Sequence, residues 1–366
     1  MHVGLNCVFL VPGETGGMEV YARELAHELP ATGVRVTVFA NRLAAGLDWG
    51  VETVTVPVDP RRRIEWVRGE QQLLPGLARG VDLLHSLAST APARGAYRRV
   101  VTIHDLNYLK VPEAHFGVRS LGMRVLVPLA ARTAHRIVAD SRSTRDDVVH
   151  DLRIAAGKVD VVPLGLGQVQ RAAPSPEPQL RAKLGLDDRP VVLTLSAKRP
   201  HKNLAGLLRA LALLDERPLL VLPGYPTPHE AELRELAAEL GVADDVRWPG
   251  WLPGADVEGL FALASAFVFP SFYEGFGLPV LEAMTRGVPV ACSDRASLPE
   301  VAGDAALVFD PDRPQAIADA VARLLRDAPL RERLAAAGRA RAATFTWERT
   351  ARETVAAYER AMRASR

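Results

Sequence analysis

Apolar segments of strand length alternate with amphipathic segments of helix length along almost the whole chain. This alternation is typical of parallel β-sheets that carry helices on both faces. A run rich in glycine and proline, from Gly165 to Pro178, lacks any such period and divides the alternation into two halves. We therefore predict an α/β protein of two doubly wound domains, with a ligand cleft between them at the carboxyl ends of the strands.

The length of 366 residues agrees with two domains, because a single core rarely grows past about 250–300 residues. We place the first domain at residues 1–168, a linker at 169–180 and the second domain at 181–345, and we expect the helix at 346–366 to pack back toward the first domain. Strands are predicted over 2–10, 34–40, 51–56, 81–85, 99–104, 136–139, 159–162, 191–196, 218–222, 245–248, 266–269, 288–291 and 306–308. Helices are predicted over 18–29, 64–78, 118–134, 142–151, 203–214, 228–240, 256–264, 279–286, 314–326, 329–342 and 346–362.

The composition excludes several classes of protein. A net charge of +2, with no basic stripe among aromatic residues, gives no indication of nucleic-acid binding. The two cysteines, Cys7 and Cys292, lie in apolar runs and are expected to be buried thiols. No run of about 18 apolar residues predicts a transmembrane helix, so we expect a cytoplasmic protein. The basic segments 61–63 and 119–136 leave a peripheral contact with the inner face of a membrane open, although a solvated basic face is the favoured explanation.

Two glutamates eight residues apart are the most informative motif. Glu274 precedes Gly275 and Gly277 in a predicted loop after a buried strand, and Glu282 follows Pro279 in what we predict to be the first turn of the next helix. Amides at a helix start favour an anion such as phosphate, and carboxylates accept hydrogen bonds from hydroxyls. A sugar nucleotide carries phosphates, a ribose and a sugar. Alone, either glutamate would be explained as a turn or helix-dipole residue.

Three further loops follow predicted strands. Gly16 and Gly17 begin a helix and let backbone amides approach a ligand closely, although a simple tight turn is the alternative. His104 ends an apolar strand beside a carboxylate, where it can exchange hydrogen bonds with a substrate hydroxyl near neutral pH; His85 is interpreted as structural. The third loop contains Ser196, Lys198, Arg199 and Lys202, followed by Asn203 as a predicted N-cap, and is a candidate phosphate site.

These motifs together resemble glycosyltransferase family 4, of the type with two Rossmann-like domains called GT-B, and most of all its mannosyltransferase-like members. The resemblance covers essentially the whole chain, and the glutamate motif is its most specific part. Its other parts are the Gly16-Gly17 loop, Thr102-Ile-His104-Asp105-Leu, Val138-Ala-Asp-Ser141, Val161-Val-Pro-Leu-Gly165, Lys202-Asn203, Asp245-Val-Arg-Trp-Pro-Gly-Trp251 and Ser297-Leu-Pro-Glu-Val-Ala-Gly-Asp304.

The resemblance implies transfer of a hexose, with mannose as the first candidate, from a nucleoside-diphosphate sugar to a glycan, a lipid-linked acceptor or a small molecule, with retention of anomeric configuration. It implies no metal and no cofactor beyond this donor substrate. Lys202 would hold the diphosphate, Glu282 the ribose and Glu274 the donor sugar, and His104 would touch the sugar. The remaining implied donor-binding residues are Gly16, Gly17, Ser196, Lys198, Arg199, Trp251, Gly275, Phe276, Gly277 and Leu278.

One position departs from the family pattern. Many relatives have an arginine five residues before the lysine, where this chain has Ala197. We predict that Lys198 or Arg199 supplies the second cation, with one of them facing the ligand and the other facing solvent. A sugar-nucleotide epimerase of the same fold and a non-catalytic partner subunit are the alternative functions.

Overall fold

A computed structural model describes residues 1–111, 118–166 and 172–364. The chain divides into two compact units, which are described separately below. The first contains residues 1–167 and 345–366, and the second contains residues 168–344. The helix at the end of the chain therefore belongs to the first unit.

The first unit is built on a seven-stranded sheet in the order β3-β2-β1-β4-β5-β6-β7, in which every pairing between neighbouring strands is parallel. Its strands are β1 (His2–Cys7), β2 (Arg35–Asn41), β3 (Glu52–Val56), β4 (Leu83–Ser86), β5 (Arg98–Ile103), β6 (Arg136–Ala139) and β7 (Val159–Val161). Its helices are α1 (Gly17–Glu28), α2 (Arg63–Arg68), α3 (Leu74–Leu77), α4 (Asn107–Lys110), α5 (Val118–Thr133) and α6 (Arg142–Asp151), with the C-terminal helix described next.

The second unit is built on a six-stranded parallel sheet in the order β10-β9-β8-β11-β12-β13. Its strands are β8 (Val191–Leu193), β9 (Leu219–Pro223), β10 (Val246–Gly250), β11 (Ala264–Phe269), β12 (Val290–Ser293) and β13 (Ala306–Phe309). Its helices are α7 (Glu177–Leu184), α8 (Leu204–Ala212), α9 (His229–Glu239), α10 (Gly254–Leu263), α11 (Leu278–Thr285), α12 (Leu298–Ala302), α13 (Pro314–Arg326) and α14 (Ala328–Ala342). The C-terminal helix of the first unit is α15 (Trp347–Arg363).

The predicted α/β fold class is confirmed in both units. The central strands are buried and mostly apolar, because helices cover both faces of the sheet. In each unit the order of strands reverses beside the first strand, and the loops that follow the strands there are the expected place for a ligand.

The structure differs from the predicted elements most clearly at two places. Helix α7 begins at Glu177, inside the predicted linker, of which residues 169–171 lie outside the described part of the chain. The predicted helix 64–78 is interrupted by a π-helical turn at Gly69–Leu73, where Gly69 packs against Val58 and leaves no room for a side chain. The predicted helix over 118–134 corresponds to α5. None of the helices in the described ranges is both long and apolar enough to cross a membrane.

Candidate functional site

The clearest polar site of the second unit lies after the neighbouring strands β8 and β11. The Nζ atom of Lys202 lies 2.6 Å from Oε1 of Glu274, and the two side chains are only 17% and 13% exposed. The ammonium group also lies 5.5 Å from the centre of the Phe269 ring. The structure thus brings together two predicted site residues that are 72 positions apart.

Local hydrogen bonds explain how Lys202 is held. It ends a short 3₁₀ turn, Pro200–Lys202, and Asn203 then begins α8 by accepting a hydrogen bond from the amide of Gly206 at 3.1 Å. This confirms the predicted N-cap. The amide of Phe272 donates to the carbonyl of His201 at 2.8 Å, which ties the lysine loop to the loop that carries Glu274.

The loop that carries Glu274 is held in place by Ser297, for which no role is predicted from the sequence. The hydroxyl of Ser297 contacts the carbonyl oxygens of Glu274 at 2.9 Å and of Phe276 at 2.7 Å. Gly277 then begins α11 with φ of 111°, and a side chain there would collide with Leu298. No local sequence signal identifies Ser297, because it contacts the loop from more than 20 residues away. Gly275 and Leu278 lie on either side of this turn, as predicted.

Glu282 is not in the first helical turn, which corrects the prediction. Helix α11 begins at Leu278, so Glu282 is its fifth residue and lies in the second turn. The side chain is half-buried, and its carboxylate oxygens are not among the fully buried atoms that lack a hydrogen-bond partner, so they reach solvent. Burial raises the pKa of Glu282; the charge of Arg286 opposes this shift and that of Glu258 adds to it. The partial loss of water around this carboxylate disfavours its charged form, and a ligand that donates hydrogen bonds would favour it.

The nearby Arg286 does not neutralise Glu282 directly. Its Nε donates to Glu258 at 2.9 Å, and a second guanidinium nitrogen contacts the other oxygen of the same carboxylate. The remaining nitrogen donates to the backbone carbonyl of Glu282 at 2.8 Å rather than to its side chain. The guanidinium group therefore fixes the backbone of the helix and leaves the Glu282 carboxylate available.

Lys198 points into the second unit, whereas the prediction has either Lys198 or Arg199 facing the ligand. Its side chain is completely buried, and its Nζ donates to the carbonyls of Leu222 at 2.6 Å and Gly224 at 3.0 Å. Burial lowers the pKa of Lys198 to about 8. The ammonium group joins the loops that follow β8 and β9, while Arg199 is exposed. The two neighbours do point opposite ways, but the inward one points into the domain.

Other predicted residues of this unit lie along the same edge of the sheet. The Ser196 hydroxyl follows β8 and is buried without a hydrogen-bond partner among the described atoms. Trp251 follows β10 and is 67% exposed, with its indole stacked on Tyr225 at a centroid distance of 4.7 Å. Because Tyr225 follows β9, the pair forms an exposed aromatic surface at two neighbouring strand ends.

In the first unit, Gly16 and Gly17 form the turn between β1 and α1. Gly16 has φ of 61° and ψ of −132°, a conformation that glycine adopts without strain, and α1 begins at Gly17. The Oγ of Thr15 closes the loop by accepting from the amide of Val11 at 2.8 Å. A side chain at Gly16 would meet nothing within 4 Å, so this helix start is open.

Both ring nitrogens of His104 have partners within the protein, and its contact with a substrate hydroxyl stays a prediction. Nδ1 lies 2.6 Å from the Asp140 carboxylate and Nε2 lies 2.8 Å from the Leu87 carbonyl. Burial alone would lower the pKa of His104, but the charge of Asp140 and the hydrogen bond to it raise the pKa. Both ring nitrogens face acceptors, so the ring is best satisfied as an imidazolium. Asp140 belongs to the motif Val138-Ala-Asp-Ser141, and local sequence does not predict its contact with His104.

His85 has the structural role that was predicted. Its ring is completely buried and bonds the hydroxyls of Tyr358 at 2.8 Å and Thr102 at 2.7 Å. Burial, followed by the charge of His104, lowers the pKa of His85 to about 3. A neutral imidazole therefore joins α15 to the strand that leads to His104.

Sequence relatives identify the family. The O-antigen chain mannosyltransferase B of Escherichia coli is 36% identical over 269 residues, which are 72% of this chain and 70% of that protein. The chain belongs to glycosyltransferase family 4. The model of Glycosyltransferase Family 4 matches residues 15–166, and that of Glycosyl transferases group 1 matches residues 176–341. A D-inositol 3-phosphate glycosyltransferase of Frankia alni is 31% identical over 398 residues, covering 96% of each chain.

Solved structures show the same fold for this family 4 glycosyltransferase. Sucrose-phosphate synthase from Thermosynechococcus elongatus has a TM-score of 0.78 at 22% identity and covers all of both chains. The Anabaena protein HepE in complex with UDP-glucose has a TM-score of 0.76 at 22% identity, covering 97% of this chain and 99% of that one. The predicted GT-B architecture is therefore confirmed.

The carboxyl edge of the second unit's sheet carries both positively charged groups and hydrogen-bond acceptors. Lys202 and the amides at the start of α11 favour a negative charge, and the carboxylates of Glu274 and Glu282 can accept hydrogen bonds from hydroxyls. Within the described residues, no group of three histidine, cysteine or carboxylate side chains is arranged to hold a metal ion.

Proposed function

We propose that this glycosyltransferase transfers a hexose, with mannose as the first candidate, from a nucleoside-diphosphate sugar to a glycan, a lipid-linked acceptor or a small molecule. The transfer would retain the anomeric configuration and would need neither a metal ion nor a cofactor. The donor would bind along the carboxyl edge of the second unit's sheet.

The contact between Lys202 and Glu274 carries this proposal. A cation and a carboxylate at 2.6 Å stand beside the start of α11, so one place offers a partner for a diphosphate and an acceptor for sugar hydroxyls. In a nucleotide sugar the diphosphate is bonded directly to the sugar, so both parts of the ligand can be bound at this place. The leaving diphosphate would be stabilised by Lys202 and by backbone amides, a preorganised electrostatic effect that can supply several kcal/mol.

The rest of the nucleotide has candidate partners on the same edge. The carboxylate of Glu282 is half-buried, and it would accept hydrogen bonds from the ribose hydroxyls. The exposed indole of Trp251 offers an aromatic face for the base. In the first unit, the open helix start at Gly17 would approach the phosphate or the acceptor, and His104 would act there as a fixed positive charge rather than as a hydroxyl partner.

Relatives support the choice of sugar and of acceptor classes. The Escherichia coli relative is an O-antigen chain mannosyltransferase, which favours mannose and a glycan acceptor. The Frankia relative is named for D-inositol 3-phosphate, which keeps a small phosphorylated acceptor among the candidates. The imidazolium of His104 and the open glycine turn belong to the first unit, where we propose that the acceptor binds.

A panel of nucleotide sugars tests the proposal. We expect one of GDP-mannose, UDP-hexoses, ADP-hexoses or TDP-hexoses to raise the melting temperature strongly, because a ligand at 100 times its Kd stabilises by about 2.7 kcal/mol. That donor, incubated with a glycan or lipid extract, should yield free nucleoside diphosphate and a product whose anomeric proton shows retention by NMR. An altered donor without transfer would indicate an epimerase, and binding without any turnover would indicate a non-catalytic subunit.

Chelation tests the metal-free mechanism separately. Donor turnover should be unchanged within experimental error after treatment with excess EDTA, because Lys202 and the helix amides are proposed to take the role of a cation. Heat-treated enzyme serves as the control for spontaneous donor hydrolysis. Loss of turnover in EDTA that Mg²⁺ or Mn²⁺ specifically restores would refute this part of the proposal.

A further inference from the structure

A shallow surface depression that is widely open to solvent, with a volume of about 500 Å³ and called the cavity below, lies in the first unit, at the edge of the sheet where the strands begin. This edge is opposite to the strand ends that carry Gly16 and His104. The positively charged residues that line the cavity are Arg136 at the start of β6, Lys158 before β7, and Arg360 and Arg363 in the last turn of α15. No acidic residue is among the residues that line it.

Two carboxylates near the cavity only partly balance these charges. Asp160 accepts from Nε of Arg136 at 2.8 Å and from Nε of Arg360 at 2.9 Å, so one carboxylate serves two guanidinium groups. Glu359 lies 3.5 Å from Arg363, and both of these side chains are more than half exposed. Arg136 is fully engaged, because Asp160 accepts from two of its guanidinium nitrogens and the Gly157 carbonyl accepts from the third. The positive charge that exceeds the two carboxylates therefore lies with Lys158, Arg360 and Arg363.

Lys158 shows that this positive charge is not neutralised within the protein. Its Nζ donates to the carbonyls of Ala131 and Arg132, each at 2.9 Å, and has no carboxylate partner among the described residues. Burial and the charge of Arg99 lower the pKa of Lys158. An anion bound in the cavity would offset the electrostatic repulsion among these cations.

The cavity also has a neutral donor suited to an oxyanion. Nδ1 of His135 accepts from the amide of Arg99 at 3.0 Å, which assigns the proton of the neutral ring to Nε2. Burial, followed by the charges of Arg99 and Arg98, lowers the pKa of His135, so the ring stays neutral at physiological pH. Guanidinium forks beside an imidazole N–H are typical of sites that bind phosphate.

We propose that this cavity binds a phosphate group, at a site separate from the one proposed for the donor. The phosphate can come from a free anion or from the headgroup of an anionic lipid. Helix α5, whose last carbonyls hold Lys158, exposes two apolar side chains one turn apart, Val125 at 62% and Leu129 at 37%. These would lie against the apolar part of a bilayer if a lipid supplies the phosphate.

Calorimetry with pyrophosphate at physiological salt tests the site without reference to activity. The double variant Arg360→Gln/Arg363→Gln should lower the affinity at this site at least about tenfold. Arg352→Gln is the matched control, because Arg352 lies on the same helix, is exposed, and pairs with Glu348 outside the cavity. Binding should survive Lys202→Met, which separates this site from the diphosphate site of the proposed function.

Vesicles identify the source of the phosphate. Sedimentation with equimolar phosphatidylcholine and phosphatidylglycerol, against phosphatidylcholine alone, should show binding that the double variant loses and Arg352→Gln keeps if the ligand is a lipid headgroup. Val125→Ser should then weaken vesicle binding and leave pyrophosphate binding unchanged. Pyrophosphate binding without vesicle binding would assign the site to a free anion. If the double variant matches Arg352→Gln with both probes, the proposal is wrong.

Discussion

Replacing Lys202 by methionine is expected to lower kcat/KM for the donor at least about 100-fold, equivalent to ~2.7 kcal/mol. The change removes the cation beside the proposed diphosphate and leaves the Glu274 carboxylate, now without its partner at 2.6 Å, to repel the phosphates. The measurement is the release of nucleoside diphosphate with the donor that the nucleotide-sugar panel selects.

Arg199→Met is the matched control, because it removes a positive charge from the same loop at an exposed position. It should keep kcat/KM within about twofold. The double variant Lys202→Met/Glu274→Gln distinguishes the loss of the cation from the effect of leaving the Glu274 carboxylate unpaired. It should have the melting temperature of the wild type but stay inactive. Near-normal activity of Lys202→Met, or an equal loss in Arg199→Met, would show that the diphosphate is held elsewhere.

Replacing Glu282 by alanine should weaken the binding of the bare nucleoside diphosphate about 10- to 150-fold, because hydrogen bonds to a charged group contribute ~1.5–3 kcal/mol. Calorimetry with the nucleotide alone measures this without an acceptor. Glu282→Gln, which keeps one acceptor oxygen but no charge, should fall between the wild type and the alanine variant. Unchanged affinity for the nucleotide in the alanine variant would show that Glu282 does not bind the ribose.

The same position predicts an opposite effect on the unliganded protein. Glu282→Gln should raise the melting temperature at neutral pH, where ~1 kcal/mol corresponds to about 2–4 °C in a domain of this size. Burial holds the pKa of the folded Glu282 above the ordinary value of 4.5, so the wild type loses stability as the pH rises through the folded pKa. The advantage of glutamine should therefore vanish toward pH 4. A variant that is less stable at every pH would show that the carboxylate has partners in the free protein.

Local sequence signals predicted the elements of the second unit well. The apolar run of β11, the glycines after it and Pro279 at the start of α11 act over a few residues, so the strand–turn–helix order followed from the sequence. The start of α11 was misplaced by one residue, which was enough to put Glu282 in the wrong turn. Helix ends are set by the conformation of one residue, here Gly277 at φ of 111°.

Contacts between distant residues could not be predicted in the same way. Alternation at a strand end correctly predicted that Lys198 and Arg199 point in opposite directions. It could not predict that the carbonyls of Leu222 and Gly224 bind the lysine inside the domain. His104 was identified from its place at a strand end, whereas its charge state depends on Asp140, 36 residues away. Such contacts depend on which strands are neighbours in the sheet, and local sequence patterns do not predict the order of the strands.

A crystal structure with the selected nucleoside diphosphate tests the central claim most directly. The account predicts a phosphate oxygen within about 3.2 Å of Nζ of Lys202 and a ribose hydroxyl at a similar distance from the Glu282 carboxylate, both being hydrogen-bond distances. The Lys202–Glu274 contact should lengthen or be shared with the ligand. A nucleotide bound away from both residues, or bound with its ribose away from Glu282, would contradict the account.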